Sequence, residues 1–71
     1  MSLRFTGASG SSPAFELLLE AYDGEKRVMV ITTREAIDDH GLAAVQHRAS
    51  EKYAAKQLEG DGRVRVFTTD L

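Results

Sequence analysis

The sequence predicts a small α+β domain, and three patterns support that class. The dipeptide Asp23-Gly24 separates two runs of alternating apolar residues, a pattern typical of a β-hairpin. Apolar residues then recur at helical spacing over Leu42–Leu58, and a short alternating run lies near the end of the chain. These patterns predict the order ββααβ, in which the hairpin and a C-terminal strand form an antiparallel three-stranded sheet with helices packed on one face.

The hairpin is predicted to consist of strands Ala14–Tyr22 and Arg27–Thr32. Asp-Gly favours a two-residue type I′ turn, because both central residues of that turn need positive φ. This register places apolar residues opposite apolar residues and one acid opposite one base. The predicted pairs are Tyr22–Glu25, Glu20–Arg27, Leu19–Val28, Leu18–Met29 and Leu17–Val30.

Residues 1–13 are predicted to be a flexible N-terminal arm, and residues 14–71 to form the single domain. Leu3 and Phe5 alternate with polar residues, which is the pattern of a short edge strand or of a frayed arm, and both alternatives stay open. Residues 7–13 read GASGSSP and are predicted to be a loop. This loop leads into a strand and is not followed by Lys-Ser/Thr, which disfavours a phosphate-binding loop.

Two helices are predicted after the hairpin. Thr32 starts a capping box, in which its hydroxyl accepts from a backbone N–H and Glu35 reaches back to the cap residue. The first helix is therefore expected over Thr33–His40. Gly41 is a natural helix stop, so the second helix is expected over Leu42–Leu58; one long helix that contains Gly41 is the alternative.

Alternation along the strands assigns the side chains to two faces of the sheet. The last strand is predicted over Arg63–Thr68. One face is expected to be buried under the second helix and consists of Phe15, Leu17, Leu19, Val28, Val30, Val64 and Val66. The opposite face, called the outer face below, has no predicted partner within the chain. It consists of apolar Leu18, Met29, Ile31 and Phe67, with Glu16, Glu20, Arg27, Arg63 and Arg65 around them.

The outer face is the predicted site of interaction. Apolar side chains rimmed by charged ones are typical of an association surface. The alternative is that the long charged side chains lie over the apolar ones and the face stays solvated. Glu20–Arg27 is expected as a cross-strand ion pair, and Arg63 and Arg65 as further partners for the glutamates if the last strand lies beside them.

Size and composition narrow the classes of function. A chain of 71 residues forms one domain that buries only about 60% of its unfolded surface, so self-association would add useful burial. The absence of cysteine excludes disulfides and thiolate metal sites. Nine Lys/Arg against eleven Asp/Glu give a net charge of −2, which disfavours nucleic acid as a partner. No apolar run approaches the roughly 20 residues of a membrane span, and no signal peptide is recognisable, so a cytoplasmic location without a membrane partner is predicted.

Several segments together resemble a known family. They are Phe15 and Ala21, Asp23-Gly24, Val28 and Val30, Ile31–Ile37 with Asp38-Asp39-His40, Arg48, Lys52-Tyr53, Asp61-Gly62 and the closing Thr69-Asp70-Leu71. On these residues the chain resembles the short bacterial proteins of family 1488 among the domains of unknown function, over most of Phe15–Leu71. The chain is more compact between Gly41 and Lys52 than this resemblance implies. The resemblance implies a small α+β fold and carries no activity, cofactor or site residues.

The histidines are the first candidates for chemistry, and they predict no metal site. His47 and Glu51 share a helix face, and with His40 and Asp39 they include the ligand types of a divalent metal. The expected helix break at Gly41 separates the two histidines. Exposed side chains on a polar helix face are therefore the favoured interpretation.

No catalytic or cofactor-binding residue is predicted either. Ser50 lies near His47, but on a helix rather than in a strained turn. Tyr53 with Lys52 or Lys56 has the composition of an acid–base pair, but at helical spacing Tyr53 is typical of the edge of a core. A single chain of this size also has little volume for an enclosed pocket, so enzymatic activity is not expected.

The sequence thus favours a non-enzymatic module for protein interaction or homo-oligomerisation, either a homodimer or a complex with another protein through the outer face. Two alternatives stay open. One is an enzyme or metal site formed only between subunits. The other is nucleic-acid binding, with stacking on Phe67 and phosphate contacts from Lys26, Arg27, Arg34, Arg63 and Arg65.

Overall fold

A four-stranded mixed sheet with two helices forms the part of the protein that the computed structural model describes, residues 3–11 and 16–71. The element order is βββααβ, which confirms the α+β class. The elements are β1 (Arg4–Ser11), β2 (Glu16–Asp23), β3 (Lys26–Thr33), α1 (Arg34–His40), α2 (Leu42–Ala54), β4 (Val64–Arg65) and a 3-10 turn at Thr68–Asp70. Ala14 and Phe15, predicted as the start of the hairpin and as part of the core, lie outside the described residues.

The N-terminal segment forms an edge strand. β1 pairs antiparallel with β2, so the edge-strand alternative is the one observed and the prediction of a loop over residues 7–11 was wrong. The loop was predicted because Gly and Ser offer little side-chain burial. Their backbone groups can still pair with β2, and amino-acid composition does not indicate such pairing. Between Phe5 and Ser9, residues 6–8 of β1 bulge opposite Glu20 alone. The excess is two residues, so Phe5 and Ser9 stay on the same face of the sheet.

The β2–β3 hairpin turns at Gly24-Glu25, one residue later than predicted. Gly24 has a φ of 63° and Glu25 has no positive φ, which fits a type II′ turn rather than type I′. Asp23 therefore stays in β2. Each β2 residue faces a β3 residue two positions further along than predicted, so the register changes but the two faces do not. The observed pairs are Asp23–Lys26, Tyr22–Arg27, Ala21–Val28, Glu20–Met29, Leu19–Val30, Leu18–Ile31, Leu17–Thr32 and Glu16–Thr33.

β4 corrects the prediction of an antiparallel sheet. It runs parallel to β3, with Val64 opposite Val30 and Arg65 opposite Ile31. Parallel neighbours need a crossover connection, and α1 and α2 supply it by carrying the chain back across one face of the sheet. The alternating pattern correctly predicted a strand in this segment, but the direction of that strand depends on where the helices lie.

β4 is also shorter than the predicted strand Arg63–Thr68. One further backbone bond, from Val66 N–H to the Ile31 carbonyl oxygen at 2.8 Å, continues the pairing with β3. Phe67 then donates its backbone N–H to Asp70 Oδ2 at 2.9 Å, which stabilises the 3-10 turn. A side-chain acceptor thus diverts the chain from the strand.

The first helix starts one residue later than predicted, whereas the second starts at Leu42 as predicted. Thr33 Oγ1 accepts from Ala36 N–H at 3.1 Å, so Thr33 caps α1, and the helix begins at Arg34. Thr32, predicted as the cap, is fully buried in β3 instead. Gly41 separates the two helices, as predicted, with a φ of 89°.

The end of α2 lies at Ala54, about one turn before the predicted end at Leu58. Lys56 has a φ of 60°, and its N–H donates to the Tyr53 carbonyl oxygen at 3.0 Å. Gln57 N–H donates to the Lys52 carbonyl oxygen at 2.8 Å. These two bonds form a Schellman motif with lysine in the position that glycine usually occupies, which is why the sequence did not mark the helix end.

The core lies between the helices and one face of the sheet. Leu17, predicted for this face, is half-buried. No helix in the described ranges is long and apolar enough to span a membrane. The buried apolar residues are Leu3, Leu19, Ala21, Val28, Val30, Ala36, Val45, Ala49, Val64 and Val66.

Candidate interaction surface

The outer face has an apolar centre on neighbouring strands. Leu18 of β2 lies opposite Ile31 of β3, and Met29 lies opposite Glu20. The three apolar side chains are half-buried in the single chain. A shallow depression of about 270 Å³ adjoins them and includes Leu18, Met29 and residues 8–10 of β1 in its lining. The structure thus places three of the four predicted apolar residues together.

Phe67, the fourth apolar residue, follows β4 and is partly covered by a cation. The guanidinium carbon of Arg65 lies 5.1 Å from the centre of the Phe67 ring, a distance suited to a cation–π interaction. Arg65 also lies opposite Ile31 in the ladder. Long charged side chains therefore cover part of the apolar surface, as one of the two sequence interpretations proposed.

The predicted ion pair between Glu20 and Arg27 is confirmed, although the two residues are no longer directly opposite. Arg27 Nε lies 3.0 Å from Glu20 Oε2. Because Glu20 faces Met29, the pair crosses the ladder diagonally, which long side chains can do. Thr6 Oγ1 donates to Glu20 Oε1 at 3.2 Å, so this glutamate connects β1 to β3 through their side chains.

The two arginines near β4 have partners other than those expected. Arg65 Nε lies 3.1 Å from Glu59 Oε1, and Arg63 Nε lies 3.2 Å from Asp61 Oδ2. Both acids belong to the segment before β4. The outer-face glutamates belong to β2, and β3 lies between β2 and β4. These glutamates are therefore not cross-strand neighbours of the two arginines.

The metal and nucleophile candidates do not converge. His47 Nε2 lies 3.6 Å from Glu51 Oε1, and both side chains are largely exposed, as is His40 at the end of α1. Among the described residues, no three His, Cys, Asp or Glu side chains lie close enough to hold a metal ion. Ser50 Oγ accepts from Leu3 N–H at 3.2 Å, so this hydroxyl anchors the N-terminal segment to α2.

The Tyr53 hydroxyl binds a carboxylate rather than a lysine. It donates to Asp23 Oδ2 at 2.6 Å and so connects α2 to the end of β2. This hydrogen bond, together with partial burial and the negative charge of Asp23, raises the pKa of Tyr53 above its ordinary value of 10.0. A phenol with a raised pKa is poorly matched to acid–base work near neutral pH, so a structural role is the better interpretation.

A polar cluster at the C-terminal turn was not predicted from the sequence. Lys52 Nζ donates to Asp70 Oδ1 at 3.0 Å and to the Arg65 carbonyl oxygen at 2.6 Å. Arg48 Nε donates to the Asp70 carbonyl oxygen at 3.1 Å. The spacing of Arg48 and Lys52 places them on one helix face, which the sequence does indicate. Asp70 becomes their common partner only because the crossover brings the C-terminal turn beside α2.

The environment of Asp70 favours its charged form. Partial burial by itself would raise the pKa of Asp70, but the Phe67 N–H bond and the positive charges of Lys52 and Arg48 outweigh it. The pKa of Asp70 is therefore held below its ordinary value of 3.8. Asp70 connects the C-terminal turn to α2 as a carboxylate at neutral pH.

The cations predicted for nucleic-acid binding are partly neutralised. Arg27, Arg63 and Arg65 each form an ion pair with a carboxylate. Lys26 lies at the start of β3 and Arg34 at the start of α1, and both are exposed. This arrangement gives nucleic acid less support than the sequence pattern did.

In comparisons with known proteins, no family model matches the chain, and no curated protein or solved structure matches it. The resemblance to family 1488 therefore stays a prediction. Some residues on which it rests do meet in the fold: Tyr53 contacts Asp23, and Arg48 and Lys52 contact Asp70. These contacts hold elements together and do not form a reaction centre.

Proposed function

We propose that the protein is a non-enzymatic association module that forms a homodimer through its outer face. The observation that carries the proposal is the one-sided cover of the sheet. Val28 and Val30 are buried on the side of the helices, whereas Leu18, Met29 and Ile31 lie on the other side and stay half-buried. A sheet with apolar side chains on both faces is best satisfied by a layer on each face.

The charges of the outer face suit a second copy of the same chain. Glu16 and Glu20 belong to β2, whereas Arg27 belongs to β3 and Arg65 to β4. A two-fold axis parallel to the strands, placed between β2 and β3, would bring the acidic side of one protomer over the basic side of its partner. Such charge complementarity gives an interface its orientation and specificity.

The ion pairs of the single chain do not oppose this rearrangement. The Arg65 and Glu59 side chains are 55% and 42% exposed, and exposed pairs of this kind contribute only about 0–1 kcal/mol. Arg65 could therefore exchange Glu59 for a glutamate of the partner at little cost. The apolar centre would supply most of the stabilisation, because its residual exposure is removed from water on pairing.

The substitution Leu18→Asp tests the proposed interface. Sedimentation velocity is expected to show a dimer for the unmodified chain at micromolar concentration and a monomer for Leu18→Asp, because a carboxylate at the centre of an apolar contact would be buried without a partner. The far-UV circular dichroism spectrum should stay unchanged, since Leu18 lies outside the core.

Leu42→Asp is the matched control. Leu42 is 45% exposed at the start of α2, away from the outer face, so this variant should remain dimeric. A strictly monomeric unmodified chain would contradict the proposal. Equal dissociation by Leu18→Asp and Leu42→Asp would contradict the choice of face.

A further inference from the structure

A polar cleft beside β4 is separate from the apolar centre of the outer face. Its volume is about 440 Å³, and α2, the segment after it and the C-terminal turn form its walls. Its charged residues are Arg48, Lys52, Arg65, Glu59 and Asp70. Three positive and two negative charges give a local sum of +1, in a chain whose net charge is −2.

Both acids of the cleft already have partners. Asp70 Oδ1 accepts from Lys52 at 3.0 Å, and Asp70 Oδ2 accepts from Phe67 N–H at 2.9 Å. Glu59 Oε1 lies 3.1 Å from Arg65 Nε. The carboxylates are therefore neutralised within the chain, and the remaining positive charge belongs to Arg48.

The cations of the cleft keep unused hydrogen-bond donors. Arg48 Nε donates to the Asp70 carbonyl oxygen at 3.1 Å, and within residues 3–11 and 16–71 no carboxylate forms an ion pair with its guanidinium. Both Nη atoms of Arg48 are thus left to donate elsewhere, and Lys52 keeps one ammonium hydrogen after its two bonds. Arg48 and Lys52 are half-buried, while the other described cations are exposed.

We propose that this cleft binds the phosphate group of a small anionic ligand, with Arg48, Lys52 and Arg65 as the donors. A phosphate group has oxygens in several directions, which suits a planar guanidinium fork, a point-charged ammonium and a second guanidinium at the rim. Arg65 reaches the ligand by leaving its exposed pair with Glu59. The space beside Gln57 and Leu58 accommodates the remainder of a phosphate monoester.

An NMR titration of the full chain with inorganic phosphate tests the proposal. Backbone amide signals of Lys52, Arg65 and Asp70, and the Arg48 Nε–H signal, are expected to shift and to saturate in the millimolar range. Sodium chloride at the same ionic strength should not reproduce the shifts, because the site requires several acceptor oxygens rather than general screening. An absence of saturable shifts at these residues would overturn the proposal.

Matched arginine variants identify the donors. Arg48→Gln should weaken phosphate binding about tenfold, whereas Arg34→Gln, at an exposed arginine in the first turn of α1, should change it less than about twofold. Arg65→Gln leaves the Arg48–Asp70 contact in place and should weaken phosphate binding about threefold. It replaces Arg48→Gln as the test variant if the Arg48 substitution disturbs the C-terminal turn. Equal losses in the Arg34 and Arg48 variants would overturn the assignment.

Adenosine 5′-monophosphate distinguishes the two sources of a phosphate group. Tighter binding than inorganic phosphate, with additional shifts at Gln57 and Leu58, would assign the cleft to a phosphate monoester. Equal affinity for both probes would assign it to the free ion. Arg48 and Lys52 belong to α2 and not to the outer face, so the dimer proposal can fail while this one stands.

Discussion

Thr32 and Thr33 are neighbours in the chain, but they affect the stability of the fold with opposite signs. Thr33 Oγ1 accepts from Ala36 N–H at 3.1 Å and satisfies one of the free donors at the start of α1. Thr32 is fully buried in β3, and its hydroxyl has no partner among the described residues. The sequence could not separate the two roles, because either threonine precedes the helix at a plausible capping position.

Thr32→Val is expected to raise the free energy of unfolding by about 1 kcal/mol. Valine has nearly the shape of threonine and removes a buried hydroxyl that lost its water on folding. Thr33→Val should lower the free energy of unfolding by about 1 kcal/mol, because it removes the cap. Urea denaturation at one fixed protein concentration measures both changes. Changes of the same sign in the two variants would contradict this division of roles.

At the scale of elements, the end of α2 shows where a local signal was missing. The Schellman bonds place Lys56 in the left-handed conformation, with a φ of 60°, although its side chain gives no reason to expect it there. The predicted helix Leu42–Leu58 was therefore too long at its C-terminal end. The break at Gly41 was predicted correctly, because glycine is a residue type suited to positive φ. Terminal hydrogen bonds decided the end of α2, and residue type decided the break between the helices at Gly41.

Lys56→Gly should stabilise the protein by about 0.5–1 kcal/mol. Glycine relieves the cost of a left-handed side-chain-bearing residue, and the greater freedom of the unfolded chain offsets part of that gain. Ala55→Gly is the control: Ala55 has a φ of −83°, so glycine relieves no strain there and should lower stability. Thermal or urea unfolding measures both variants. A destabilised Lys56→Gly would show that the Lys56 side chain makes a stabilising contribution larger than the strain.

At the scale of the whole molecule, the carboxylate of Asp70 helps to hold the C-terminal turn to α2. Asp70 connects the turn to Lys52, which also binds the Arg65 carbonyl oxygen. Its pKa is lowered in the fold, so its contribution to stability is present above the unfolded value of 3.8 and is lost as pH falls through the folded value. Acid should therefore weaken this attachment only when the pH falls below the ordinary pKa of an aspartate, because the fold holds Asp70 in its charged form.

Asp70→Asn is expected to lower the free energy of unfolding by about 1–2 kcal/mol at pH 7, because a charged acceptor with a partly buried lysine partner is lost. The difference from the unmodified chain should begin to narrow as pH falls below the unfolded pKa of 3.8 and should vanish below the lower folded pKa, where Asp70 is protonated in both folded and unfolded chains. Asp38→Asn, at an exposed position of α1, should change stability by less than about 0.5 kcal/mol. Urea unfolding at pH 7, 5 and 3 measures these differences, and a difference independent of pH would contradict the role of the charge.

The sequence by itself determined the two faces of the sheet. Leu18 and Leu19 are separated by strand alternation, and the hairpin slip of two positions left both on their predicted faces because a strand repeats every two residues. The predicted Glu20–Arg27 pair survived for the same reason, since long side chains span the diagonal. The predicted outer face therefore stayed together although its exact cross-strand pairs were wrong.

Only the tertiary structure decided the direction of β4 and the meeting of Arg48 with Asp70. Both depend on how α1 and α2 return the chain across the sheet, and local residue patterns do not specify the path of a crossover. Contacts between residues far apart in sequence form only when that path is set. The faces were thus determined by local alternation, and the polar cleft beside β4 by the packing of the helices.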